Sequence, residues 1–280
     1  MKTVAIAGVG LIGGSFGLAL RKAGFTGEIL GVSSKPALEA GLKLGAISAA
    51  ATLEEAAKLA DLIYLAQPVD RILHTLARLG PIAPSSCLIT DAGSTKAVIV
   101  RKASDSLRFA SFLGGHPMAG KERRGAESAD AELFSGRPYV LTPDREETDT
   151  SSEFRNWLAR MGANVLDMPA SEHDAVVAFT SHLPQLISTA LSATLAEQRA
   201  ELMSQLFGPG LLDMTRLALS SPELWRSIIA TNKAEILSAL DIFADSLCKL
   251  RNAVSDENIS QFFCTASTFA RIIREPDCIT

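Results

Sequence analysis

Leu113–Glu122 (LGGHPMAGKE) gathers one histidine, three glycines and a proline into ten residues. A neutral imidazole can take a proton near physiological pH. His116 is therefore the candidate base, placed between a dinucleotide on one side and a small acid on the other. Taken alone, the segment also fits a turn whose imidazole bonds to backbone. The dinucleotide reading comes from a second motif, Gly8-Val9-Gly10-Leu11-Ile12-Gly13. It directly follows an apolar run, Thr3 to Ala7, and leads through a helical pattern to another apolar run, Glu28 to Val32. That is the context a dinucleotide fingerprint requires. Gly8 permits the tight turn, Gly10 lets backbone approach a pyrophosphate, and Gly13 allows close helix–strand packing. Leu11 and Ile12 bring the helix N-terminus, with its free N–H groups, to the phosphates. The second strand ends in Ser33-Ser34-Lys35, with no acid for a ribose diol. Two hydroxyls and an ammonium suit a 2′-phosphate, so NADP is favoured over NAD; the alternative is that Ser34 and Lys35 simply open the next helix.

The elements that position these groups alternate as α/β. A helix covers about 36–44, and another 53–59, entered through Thr52 with Glu55 three residues on as a capping box. Asp61–Ala66 reads as a strand, and Gln67-Pro68 turns out of its carboxyl end. Residues 70–79 are helical. Ser86–Thr90 is the next strand, from which Asp91-Ala92-Gly93-Ser94 leaves to open a helix. Phe109–Leu113 is a strand that delivers His116 to the same rim. Gln67, Pro68, Asp91 and Ser94 thus line a crevice with His116, as strand ends do in a doubly wound sheet. Further expectations are an irregular stretch over 123–135, a strand at 138–142, a helix at 152–161 and a last strand at 162–167.

After Met168-Pro169 no strand-like run remains. The expected division is a dinucleotide-binding domain, 1–168, and an all-α domain, 169–280. Within the first helix of the second part, from Ser171, Pro184 predicts a kink that frees the carbonyl of Thr180, beside His182. The kink has two readings, a ligand site or packing. Gly208-Pro209-Gly210 breaks the chain before a short helix, where Arg216 among apolar residues either snorkels or clamps a carboxylate. Ser221-Pro222 opens a long helix whose residues Trp225, Ile229, Asn232, Ile236, Leu240, Phe243, Leu247, Leu250 and Val254 form a seam, apolar except for Asn232. That seam suits another helix or a partner subunit. A final helix covers about 255–274. The net charge of −4 and the broken basic cluster at Lys121–Arg124 offer no footprint for nucleic acid. No apolar run reaches the roughly 18 residues that span a bilayer, and the N-terminus opens into a strand, not a signal peptide. Cys87, Cys248, Cys264 and Cys278 show no paired or metal-ligand spacing. They read as thiols of a reducing compartment, so a cytoplasmic location and no metal are expected.

In this order, GVGLIGGS (8–15), DAGSTK (91–96), GGHPMAG (114–120), SHLP (181–184), MTR (214–216) and WR (225–226) resemble the prephenate/arogenate dehydrogenase family of tyrosine biosynthesis over nearly the whole chain. The first motif is generic to dinucleotide folds; the third and fourth at this separation are specific. The resemblance implies a Rossmann-type domain followed by a helical domain that dimerises. It also implies oxidation of prephenate or arogenate with NAD(P), prephenate slightly favoured, and loss of CO₂. By resemblance, His116 takes the ring-hydroxyl proton and Ser94 shares that bond and orients the imidazole. His182 and Trp225 help fix the substrate and Arg216 pairs with its carboxylate. Where many relatives carry a basic residue before the arginine, this chain has Leu211-Leu212, so Lys121 is a candidate replacement. Glu122 and Gln185 are candidates to meet the side chain in which the two acids differ. A β-hydroxyacid or imine reductase would share the domain plan but would place a lysine on the first helix of the second domain, and 171–200 contains none. A nucleotide-sensing scaffold would have lost the polar groups Ser94, His116, His182 and Arg216.

Overall fold

A computed structural model describes residues 1–121, 123, 125–144, 147–198, 200–256 and 258–275. The chain forms two compact units, Met1–Lys233 and Ala234–Thr280. In the first, eight strands form one sheet: β1 Thr3–Ala7, β2 Glu28–Val32, β3 Ala49–Ala50, β4 Leu62–Leu65, β5 Leu88–Asp91, β6 Ser111–Pro117, β7 Pro138–Thr142 and β8 Asn164–Asp167. Their order is β3-β2-β1-β4-β5-β6-β7-β8, parallel throughout except between β6 and β7. The helices between them are α1 Leu11–Lys22, α2 Lys35–Leu44, α3 Leu53–Leu59, α4 Val69–Leu79, α5 Ala97–Ser106 and α6 Asp149–Arg160. Then follow α7 Ala170–Val177, α8 Leu183–Ala196, α9 Ala200–Met203, α10 Pro209–Thr215 and α11 Pro222–Thr231. The helices α12 Lys233–Ser255 and α13 Ser260–Ile272 account for the second unit. No helix among the described residues is long and apolar enough to cross a membrane.

The period-2 alternation of β1 divides the core in two. Val4 and Ile6 join Phe16 and Leu20 of α1 and Phe154 and Leu158 of α6 on one face. Ala5 and Ala7 join Leu53 of α3, Ile72 and Leu76 of α4 and Ile99 of α5 on the other. Both faces are covered, which is why the strands read as continuous apolar runs. From β1 the chain winds outward to β2 and β3, then returns to β4 on the other side. The crevice between the carboxyl ends of β1 and β4 is the switch point at which such sheets bind ligands.

Four local expectations give way to a different geometry. The helical pattern over Phe16 to Ala23 is the later part of a longer helix, since α1 begins at Leu11, takes in Gly13 and Gly14, and ends at Lys22. Strand β6 does not stop at Leu113 but continues through His116 to Pro117, since β7 supplies an antiparallel ladder for Gly114–Pro117. Ahead of Pro184 a π-helical turn, Ala178–His182, joins α7 to α8 in place of a kinked α-helix. A π turn shifts the hydrogen-bond register past the missing proline donor and re-aims the side chains on it. The long helix expected after Ser221 ends at Thr231, because Asn232 leaves helical geometry (φ −127°, ψ 31°). Its side chain is engaged elsewhere, as described below.

Gly17 shows how tightly α1 is set on the sheet side. A Cβ there would lie 2.0 Å from the carbonyl oxygen of Ala46, which is backbone and cannot rotate away. Gly17→Ala should therefore destabilise the protein by about 1–3 kcal/mol, read as a lower urea midpoint. An unchanged or raised midpoint would contradict the close approach, since alanine alone favours a helix over glycine by about 1 kcal/mol.

Candidate active site

The β1–α1 turn is built by contact. Gly8 has φ +100°, and a Cβ on it would meet the Ala66 carbonyl at 2.6 Å. A Cβ on Gly13 would lie 2.1 Å from the Gly8 carbonyl. Gly10 differs, with no heavy atom within 4 Å of its Cβ position. It caps the N-terminus of α1 and no side chain bonds to that cap, so the helix presents free N–H groups to an open cradle. Two adjoining cavities meet here. One, of ≈ 400 Å³, includes Leu11, Ile12, Pro68, Ser94, Ala119 and Ser227 in its lining. The other, of ≈ 820 Å³, is bordered by Gly8, Ser33, Ser34, Arg71 and Glu127, and shares Gly10 and Gln67 with the first. The cradle and the cleft together fit a dinucleotide. Of the residues expected there, Ser33 and Ser34 line the wider cavity, while Lys35 opens α2 and is absent from the lining. Asp91 is fully buried and lines neither cavity. Arg71 was not anticipated.

Asp91 instead anchors the strand that carries His116. Its carboxylate accepts from Gly93 N (2.8 Å), from Gly115 N (3.1 Å) and from Lys96 Nζ. Lys96, also fully buried, donates in addition to the carbonyl of Gly115 (2.7 Å). The turn after β5 is thereby bolted to the residue before His116. Burial pulls the Lys96 ammonium below its ordinary pKa, with Asp91 acting in the opposite sense.

His116 is 9% exposed. Its Nδ1 lies 2.8 Å from His173 Nε2, and His173 Nδ1 lies 2.8 Å from Asp174 Oδ1. Asp174 also accepts from the backbone of Lys96 (Oδ1, 2.7 Å) and Ala97 (Oδ2, 2.9 Å), so it caps α5 from α7. The ring of His116 is thus oriented by His173, a task expected of Ser94. Burial, reinforced by His173, Lys96 and His182, drives the His116 pKa well below 6.5. The imidazole is neutral at physiological pH.

His182 sits on the π turn with its ring edge against Trp225 (centroids 5.8 Å apart). Asn232 Nδ2 donates to the carbonyl of Asp174 (2.8 Å), which fixes the amide orientation, and its second N–H faces His182 Nδ1 at 3.3 Å. An accepting Nδ1 leaves the proton on Nε2. Burial lowers the His182 pKa to about 4, so this ring is a neutral Nε2–H donor. The indole Nε1 of Trp225 is buried without a partner among the described residues.

The other expected contacts divide. Lys121 borders the smaller cavity but pairs with Asp130 (2.8 Å). Glu122 lies outside the described residues. Gln185 is buried and lines neither of these cavities; its Nε2 donates to the Leu217 carbonyl (2.7 Å) and to Thr189 Oγ1 (3.2 Å). With Ser188, whose Oγ accepts from Ala218 N (3.1 Å), it seats the 3-10 turn Arg216–Leu219 on α8. Arg216 is the exposed first residue of that turn. Sequence reasoning missed His173, Asp174, Asn232 and the structural use of Lys96. The His173-Asp174 pair on the first helix after Pro169 was the available signal. No cluster able to hold a metal exists among the described residues.

Comparison with known proteins agrees with this layout. The family model for the prephenate dehydrogenase nucleotide-binding domain matches residues 16–167, and that for the prephenate dehydrogenase dimerization domain matches 169–267. The prephenate dehydrogenase of Bacillus subtilis is 36% identical over 279 residues, 95% of this chain and 75% of that protein. The crystal structure of A. aeolicus prephenate dehydrogenase in complex with hydroxyphenyl propionate and NAD+ superposes with a TM-score of 0.90 at 29% identity, covering 98% of this chain and 99% of that one. The arogenate dehydrogenase of Synechocystis gives 0.78 at 28% identity, covering 99% and 100%.

The histidine environment sets a pH dependence of stability. Unfolded, both rings titrate near 6.5; folded, His182 titrates at about 4 and His116 well below 6.5. The unfolded chain therefore binds more protons in that interval, and stability that is complete above pH 6.5 is lost as the pH falls toward 4. In urea titrations, wild type should lose on the order of 1–3 kcal/mol more than His182→Asn between pH 7 and 4.5. Equal losses in the two proteins would show that His182 is not held neutral.

Proposed function

The chain belongs to the prephenate dehydrogenase family, and from that premise we propose that it oxidises and decarboxylates prephenate to 4-hydroxyphenylpyruvate, with arogenate as the second acid to test. The observation that carries the reading is His116. It is neutral, buried, held through Nδ1, and followed on its own segment by Ala119 and Gly120, which line the cleft with Ser94.

Bound in the cleft between the α1 N-terminus, Gln67 and Pro68, NAD(P) supplies the hydride acceptor. His116 takes the proton of the ring hydroxyl, and Ser94 shares that hydrogen bond. His182 donates from Nε2–H to the substrate, and Trp225 Nε1 is a second donor beside it. Arg216 pairs with a carboxylate through its planar fork, on a turn that Gln185 and Ser188 hold in place. Aromatisation on loss of CO₂ drives the step, so the protein has only to position and polarise.

For the dinucleotide, Ser33 and Ser34 with Arg71 in the wider cavity, and no carboxylate at the end of β2, support NADP over NAD. The exposed apolar residues of the helical part, Leu237, Leu247 and Phe269 among them, support a homodimer through 169–280. A cytoplasmic location and a division of labour at residue 169 complete the reading.

A two-by-two assay, prephenate and arogenate against NADP and NAD, tests it at 340 nm. Turnover is expected with prephenate and a lower KM for NADP; no reduced dinucleotide with either acid would end the proposal. His116→Asn should lose kcat by on the order of 10²- to 10⁴-fold while retaining dinucleotide affinity, and near-normal kcat would remove His116 from the mechanism.

A further inference from the structure

We propose that His173, backed by Asp174, is the positioning residue of this site: it holds His116 in the tautomer whose Nε2 is bare and receives the charge when that nitrogen is protonated. The inference rests on His116 being the base. Its observations are independent of which acid is the substrate.

The donors and acceptors determine the tautomers in turn. A carboxylate only accepts, so the proton between Asp174 Oδ1 and His173 Nδ1, 2.8 Å apart, belongs to His173. Asp174 cannot swing away, because the backbone N–H groups of Lys96 and Ala97 hold both of its oxygens. With its proton on Nδ1, His173 offers a lone pair at Nε2, 2.8 Å from His116 Nδ1. That contact is a hydrogen bond only if His116 carries its proton on Nδ1. Its Nε2, which has no protein partner among the described residues, is left as the basic nitrogen. His173 is fully buried and Asp174 nearly so, so no bulk water competes for these bonds and each is stronger than at a surface.

The same chain disposes of the proton. When the substrate O–H breaks and an N–H forms at His116 Nε2, the ring carries two protons. Passing the Nδ1 proton to His173 Nε2 leaves His116 neutral with Nε2–H and places the cation against Asp174. The groups facing His116 are His173 from α7, Lys96 at the start of α5 and His182 on the π turn. Lys96 and a protonated His182 oppose charge there, and Asp174 behind His173 favours it one step away. Loss of CO₂ leaves a phenolate, and the reverse path closes the cycle: His116 Nε2–H protonates that oxygen while His173 returns its proton to His116 Nδ1, which restores the starting tautomer before product leaves.

Two variants separate positioning from mere packing. His173→Leu removes the acceptor; His173→Gln puts an amide oxygen near the place of Nε2, able to hold the His116 Nδ1–H but not to take its proton. His173→Leu should lower kcat by on the order of 10²- to 10⁴-fold with dinucleotide KM within about twofold of wild type, and His173→Gln should recover about tenfold or more of that loss. Nitrogen-15 spectra of the free wild-type enzyme, which need no substrate, should show His116 protonated on Nδ1 and bare at Nε2. A wild-type His116 protonated on Nε2, a His173→Leu kcat within about threefold of wild type, or a His173→Gln no faster than His173→Leu would each overturn the proposal. If His173→Leu does not fold, the wild-type spectrum decides. Failure of prephenate turnover with the expected tautomer present would overturn the substrate reading and leave the pair standing.

Discussion

A carboxylate buried in α7 caps a helix that begins 77 residues earlier. Asp174 accepts the backbone N–H groups of Lys96 and Ala97 and the Nδ1–H of His173, and its own carbonyl takes Asn232. An unpaired buried carboxylate costs several kcal/mol. At the positive end of α5, with three donors, the charge is offset by bonds and by the helix dipole. Everything that places the histidines follows from it. It fixes where α7 lies against the sheet, hence where His173 meets His116, and through Asn232 it sets the tautomer of His182. Four segments far apart in the chain are registered to one another through one residue, by its carboxylate and its backbone carbonyl.

A buried ion pair carries the other half of the load. Asp91 and Lys96 tie the β5 turn to Gly115, so His116 cannot shift along its strand without breaking them. Glycine is required at 115 because a Cβ would lie 2.7 Å from the Asp91 carbonyl. Removing one partner would leave a charge stranded in the core, which costs about 3–5 kcal/mol, whereas the intact pair contributes little net stability. The pair is therefore better understood as a device for register than for stability. It also places a positive charge close behind His116 at no conformational cost.

The sheet was legible because its signals are local. The fingerprint after β1, the capping box at Thr52 and Glu55, and the strand-to-helix alternation each lie within a few residues, and each appears where expected. Ser94 and Gln67 were placed at one crevice for the same reason, since they follow the carboxyl ends of β5 and β4, whereas His116 lies within β6 and only the segment after it reaches the cavity. What could not be read was which way a side chain faces once a strand is buried on both sides. Asp91 looked like a cofactor ligand because it ends a strand, and only the packing of Lys96 and Gly115 turns it inward. Gln185 looked like a substrate contact because it follows SHLP, yet its bond to Leu217 spans 32 residues. The His116–His173 contact spans 57 and the Asp174 cap 78. A single sequence carries no signature of such pairings beyond the residue types. Asn232 was visible only as the polar member of an apolar seam, and the break it makes in that helix is paid for by bonds to partners 50 and 58 residues away.

These long-range bonds also decide when the site is basic. Burial and the neighbouring Lys96 ammonium disfavour the cation of His116. A ring so depressed is a weak base, since each pKa unit lost is about 1.4 kcal/mol of proton affinity. The negative charge of a bound acid would act in the opposite sense, favouring the imidazolium. Substrate and proton therefore favour each other's binding. Burial keeps protons off His116 while the site is empty, and under the proposed function the basicity it gains comes from the charge of the acid itself. On this reading the buried lysine and the paired histidines are not defects that catalysis tolerates. They keep His116 neutral and its Nε2 available until the acid is in place.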